Sequence, residues 1–153
     1  MSKLKEGQQA PNFEGCDQDE KRIKLSDFRG QKLALYFYPR DNTPTCTKEA
    51  CNFRDNYQIL LNAGISVVGV SADTAKKHQN FIKKFDLPFP LIADVERKII
   101  DAYDVWGLKK FMGRENMGII RKTFLIDEEG KILKKIDKVD SANAAQQILE
   151  LIE

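Results

Sequence analysis

Two apolar runs constrain the fold more than anything else in this chain. Residues 33–38 read LALYFY and residues 65–71 read ISVVGVS. Neither alternates with polar residues, so each is expected as a strand buried on both faces, the habit of a parallel sheet interior. Between them Ala50, Phe53, Tyr57, Leu60 and Leu61 recur at helical spacing. That predicts a helix over residues 44–62, closed by Gly64. Strand, helix and strand in this order make a right-handed parallel crossover.

The remaining elements are expected around that unit. Residues 12–16 and 21–25 predict a small hairpin, and residues 26–28 a capped turn before Gly30. A helix is expected over 74–86 with Phe81 and Phe85 on one face, then a short strand over 90–93 and a short helix over 96–103. Residues 107–118 hold Gly107, Gly113 and Gly118 beside Phe111, Met112 and Met117 without a clear period. They read as a loop, either bordering a site or serving as a plain connection. Strands are expected over 119–127 and 131–136, joined by Glu128-Glu129-Gly130, and Ser141 is expected to cap a final helix. A β-α-β unit followed by β-β-α is a thioredoxin-like α/β arrangement, a central mixed β-sheet flanked by helices with an N-terminal β-hairpin extension. No repeat or linker divides residues 1–153, so a single domain is expected.

Charge narrows the function. Lys and Arg total 25 against 23 Asp and Glu, a net charge of +2 spread along the chain. Such a balance gives no phosphate-tracking stripe, which excludes a nucleic-acid partner. No apolar run is long enough for a membrane span, and the opening MSKLKEGQQA has no apolar leader core, so a cytoplasmic location is expected. In a reducing compartment an odd count of three cysteines argues against a permanent disulfide. The thiols are then either small buried groups or working ones.

Two of them, Cys46 and Cys51, fall in PRDNTPTCTKEAC. With Thr43 as N-cap, Pro44 takes the first helical position and Cys46 lies in the first turn. Unpaired N–H groups and the positive end of the helix dipole there favour a thiolate and make a cysteine reactive. On one regular helix, five residues separate the two cysteines by about 7.5 Å along the axis and about 140° around it. Their Cα atoms then stand about 8.6 Å apart, beyond the roughly 7 Å that a bridge tolerates. Any disulfide between them requires the start of the helix to unwind. A zinc site wants about four ligands, which this diverging pair does not supply. The single histidine, His78, lies among lysines and reads as a surface residue, leaving no oriented base for a Cys–His hydrolase.

The run from Pro39 to Cys46 resembles the P-x-x-x-T-x-x-C signature of peroxiredoxins. Its continuation TKEACNFRD is similar to the Q-type, or bacterioferritin-comigratory, subgroup, as are VVGVSAD, FPLIAD, YDVWG and MGIIRKTFLIDEEGKI elsewhere. The resemblance implies a thiol peroxidase that reduces hydrogen peroxide and alkyl hydroperoxides. Cys46 would be the peroxidatic cysteine and Cys51 the resolving one, forming an intramolecular disulfide. Thr43 would bond the peroxide, Pro39 would shield the sulfur, Arg121 would hold thiolate and peroxide together, and Glu49 would orient the pocket. No metal or cofactor is implied, an external dithiol of the thioredoxin type would recycle the enzyme, and a monomer or weak homodimer is expected. Thr45 stands where the subgroup often has Gly, and Cys16 lies outside the motif and reads as structural or incidental. Two other readings use the same thiols. A disulfide oxidoreductase would reduce insulin, but the chain lacks C-x-x-C; a redox sensor or holdase would consume peroxide without turnover.

Overall fold

A computed structural model describes residues 3–152. The two apolar runs become β3 (Lys32–Phe37) and β4 (Ile65–Ser71), following a small hairpin of β1 (Glu14–Cys16) and β2 (Arg22–Lys24). β3 and β4 pair in parallel, Leu35 opposite Val68, with α1 (Pro44–Asp55) and α2 (Tyr57–Asn62) in the crossover. Next come α3 (Ala75–Phe85), β5 (Leu91–Ala93) and α4 (Lys98–Ala102). β6 (Trp106–Phe111) and β7 (Arg114–Ile119) form a hairpin of their own, before β8 (Lys122–Ile126), β9 (Ile132–Ile136) and α5 (Ala144–Leu151). The central sheet runs β5-β4-β3-β8-β9, with β8 and β9 antiparallel to their neighbours. This is the mixed, thioredoxin-like sheet that the pattern predicts.

The unbroken apolar runs have a simple cause, because β3 feeds two cores. Leu33, Leu35 and Phe37 point to one side with Val68, Val70, Ile100 and Tyr103. Ala34, Tyr36 and Tyr38 point to the other, with Ala50 and Phe53 of α1, Phe81 of α3 and Ile148 of α5. Gly69 makes room on that second side. A Cβ there would stand 2.9 Å from the Tyr36 ring and 2.7 Å from Leu91, so only glycine lets Tyr36 pack on β4 and reach Phe53 at 4.8 Å between ring centroids.

Several local expectations are corrected. The helix over 44–62 breaks at Asn56 (φ −112°, ψ 10°), whose side-chain amide donates to the Asn52 carbonyl at 2.8 Å in competition with its own N–H at 3.2 Å. Residues 107–118 are largely strand: Met112 and Gly113 take positive φ of 50° and 78°, as a tight hairpin turn demands. Most side chains of β7 are exposed, so no apolar alternation marked it. The Phe111 side chain lies outside the described residues. Ser141 is not the cap of α5 but opens a 3-10 turn, Ser141–Asn143. The cap comes from another helix: Asn52 Oδ1 accepts from the Ala145 N–H at 2.8 Å.

Candidate active site

Thr43 is extended (φ −90°, ψ 158°) and caps α1, Pro44 follows at the first helical position, and the Thr47 N–H bonds the Thr43 carbonyl at 2.8 Å. The Thr45 and Cys46 N–H groups therefore precede the helical ladder and face outward from its positive end. Cys46 is 2 % exposed and Glu49, on the same helix, is fully buried. Cys51 is half-buried, and all three cysteines are free thiols. Thr45 is exposed.

Arg121 reaches this turn from beside β3, since the next residue, Lys122, pairs with Phe37. β7 ends at Ile119 and β8 begins at Lys122, so Arg121 sits in the break between two strands rather than within one. Its Nη2 donates to Cys46 Sγ at 3.2 Å and its Nη1 to Glu49 Oε1 at 2.6 Å. Burial works against the guanidinium charge, but Glu49 and Cys46 outweigh it and hold the Arg121 pKa above its ordinary value. Glu49 shows the opposite balance. Burial lifts its carboxyl to about 7 although Arg121 pulls it down. Its second oxygen, Oε2, and the Tyr36 hydroxyl are buried with no hydrogen-bond partner among the described residues.

The Thr43 hydroxyl donates to the Arg40 carbonyl at 3.2 Å, which leaves its oxygen lone pairs as acceptors. Half-buried Pro39 borders a cleft of about 490 Å³ with Arg40, Trp106, Lys109, Met117 and Ile119. Cys46 lies outside that lining. Lys109, on β6, is a cation that the sequence reading missed. Burial, and then Arg121, lower its pKa, while Cys46 opposes them. Its stem crosses Gly118, where an added Cβ would meet Lys109 Cδ at 3.2 Å. The hairpin misread as a loop thus supplies one wall of the cleft.

Residues 6–135 match the AhpC/TSA family. The chain is a peroxiredoxin of that family. The Peroxiredoxin Bcp of Bacillus subtilis is 44 % identical over 147 residues, covering 96 % of this chain and 94 % of the relative. The Peroxiredoxin Bcp of Escherichia coli is 40 % identical, covering 100 % and 98 %. Among solved structures, a mutant of Xylella fastidiosa PrxQ superposes with a TM-score of 0.92 at 30 % identity, covering 99 % of this chain and 97 % of that one. The bacterioferritin comigratory protein of Xanthomonas campestris, described for its alkyl peroxide reduction activity, gives 0.87 at 31 % identity, covering 95 % and 96 %. Peroxiredoxins are thioredoxin-dependent thiol peroxidases, and thiol peroxidase chemistry is the activity of this chain. Among the described residues no helix is long and apolar enough to cross a membrane.

Proposed function

We propose that Cys46 is the peroxidatic thiolate and Cys51 the resolving thiol of a single-subunit peroxidase cycle acting on hydrogen peroxide and alkyl hydroperoxides. The observation that carries this reading is Arg121, 3.2 Å from Cys46 Sγ and tied at 2.6 Å to Glu49 at the start of α1. A guanidinium in that place serves both the anionic sulfur and the anionic oxygen that leaves it.

The steps follow from the donors and acceptors available. The hydroperoxide O–H donates to the Thr43 oxygen, whose own hydrogen is committed to Arg40. The Cys46 thiolate attacks the terminal oxygen in line, the O–O bond breaks, and the departing oxyanion is held by Arg121 and the first N–H groups of α1 before taking a proton from water. Cys46 is now a sulfenic acid, and Pro39 screens it from bulk solvent. The start of α1 unwinds, Cys51 attacks the sulfenic sulfur, and water leaves as the disulfide forms. An external dithiol of the thioredoxin type returns both thiols by exchange. We assign the whole of residues 1–153 to one domain, acting in the cytoplasm as a monomer or weak homodimer, since both reacting thiols come from one chain. Cys16 takes no part.

Peptide mapping under non-reducing conditions after one equivalent of hydrogen peroxide tests the assignment. A Cys46–Cys51 bridge in the wild type, with sulfenic acid trapped at Cys46 in Cys51→Ser, is the expected outcome. A bridge to Cys16, or an untouched Cys46 thiol, would sink it.

A further inference from the structure

His78 was expected at the surface because lysines surround it in AKKHQNFIKKF. The face of α3 decides otherwise. His78, Phe81, Ile82 and Phe85 share one stripe at i, i+3, i+4 and i+7, and the ring is fully buried. An imidazole in that position must have both nitrogens paired. Nε2 meets the Ile92 carbonyl at 2.9 Å and Nδ1 meets Asp41 Oδ2 at 2.6 Å. A carbonyl only accepts, so Nε2 carries a hydrogen. The Nδ1–Oδ2 contact then holds one further proton, on the ring or on the carboxyl.

Asp41 is pinned from every side. Its Oδ1 accepts from the Tyr38 hydroxyl at 2.5 Å, and its N–H donates to Asp73 Oδ2 at 2.8 Å, which also accepts from the Ser71 hydroxyl at 2.8 Å. The side chains of Asp41 and Asp73 are 5 % and 8 % exposed. The ligand-type atoms of Asp41, Asp73 and His78 lie within 4.8 Å of one another, but these bonds already occupy them. A buried polar network of this kind adds little stability over well-packed apolar residues; what it does is fix one arrangement. The arrangement fixed here is the loop that carries the site. Asn42 follows at a positive φ of 62°, then Thr43 at the cap of α1.

We propose that His78 is a positioning residue for peroxide reduction: by holding Asp41 it fixes the upstream end of the segment that unwinds, and so biases the site toward the folded, peroxide-reactive state. The proposal rests on the assignment of Cys46 and Cys51 made above. Loosening the anchor lowers the population in which α1 is wound and Arg121 stands 3.2 Å from the sulfur, which slows oxidation. It does not slow resolution, which proceeds from the unwound state. Loss of a bond to a charged group shifts such an equilibrium by roughly ten- to a hundredfold.

Two replacements separate the two nitrogens. In His78→Asn the amide stands where Nδ1 was and can serve Asp41; in His78→Gln it stands where Nε2 was and serves only Ile92. Trp106, the single tryptophan, borders the cleft and is the fluorophore to follow in stopped flow, with quenched samples mapped for sulfenic acid and disulfide. We expect His78→Gln to lower the peroxide-dependent rate by up to about tenfold, with resolution unchanged or faster and less sulfinic acid at high peroxide. His78→Asn should stay within about threefold of wild type in both steps. If His78→Gln does not fold, Tyr38→Phe removes one bond to the same carboxylate and is expected to show the same split at smaller size. Equal slowing of both steps, or of both variants, would reduce His78 to a packing residue and overturn the proposal. Wild-type protein that reacts with peroxide elsewhere than at Cys46 would overturn the site assignment itself, and peptide mapping of the same samples tells the two failures apart.

Discussion

Cys46 and Cys51 ride one helix, yet the two halves of α1 are held by different things. The first half has Pro44, Thr45 and Lys48 exposed, and its polar inward contacts are Cys46 and Glu49 on the single guanidinium of Arg121. The second half is tied into the body of the protein. Phe53 is fully buried against Tyr36 and Phe89, and the Asn52 amide donates to the Ala142 carbonyl at 2.8 Å while its oxygen caps α5. Arg54 Nη1 adds a bond of 2.8 Å to the Phe85 carbonyl. A helix built this way can lose its first turns without losing its last. The unwinding proposed above would then be limited by Asp41 upstream and Asn52 downstream.

The largest perturbation of this contrast is Phe53→Ala. It empties a buried aromatic site and should lower stability by about 3–5 kcal/mol, read from urea unfolding. The Cys46 chemistry of the molecules still folded should barely change; if it falls in proportion to stability, the two halves are not independent. Arg121→Met strikes the other half. It should slow oxidation of Cys46 by about 10²–10³-fold with little effect on α5, monitored by sulfenic-acid trapping.

Glu49 gives a pH test. Its folded value of about 7 lies above the ordinary 4.5 that the unfolded chain takes. The folded state therefore binds the extra proton, and this contribution to stability is complete below about pH 4.5 and lost as pH rises through about 7. Relative to Glu49→Gln, which carries no such group, the wild type should lose on the order of 3 kcal/mol across that window. Parallel pH–stability curves for the two proteins would refute it. The smallest effect expected is that of Asn52→Ala. Losing the cap of α5 should cost about 1 kcal/mol and, by loosening the downstream limit, speed the closing of the Cys46–Cys51 bridge. A slower closure would show that the motion does not end at Asn52.

How much of this was legible depended on whether a feature's cause is local. The N-cap at Thr43, Pro44 after it and Cys46 in the first turn are matters of neighbouring residues, and the structure places them as the spacing predicts. The two-sided burial of β3 was readable because both its faces are apolar. The β6–β7 hairpin was not, because an exposed ribbon needs no apolar face and its turn rests on Met112 and Gly113 at positive φ. Arg121 could not be assigned a face by strand alternation, since it lies where the strand stops. Asn56 hid a helix break because its side chain competes for a carbonyl only once the helix exists.

His78 marks the boundary most clearly. Its sequence neighbours are lysines, which suggested solvent, while its helical neighbours are Phe81, Ile82 and Phe85, which are turned inward. Periodicity and backbone preference over a few residues were enough for the order of the core elements apart from the β6–β7 hairpin and the break at Asn56, for the double-cored sheet and for a thiol at a helix start. Tertiary structure decided which distant groups meet that thiol. Arg121, Lys109, Asp41 with His78, and Asn52 with α5 are brought together by pairing and packing across the fold, and no local pattern encodes a contact between residues that far apart in the chain.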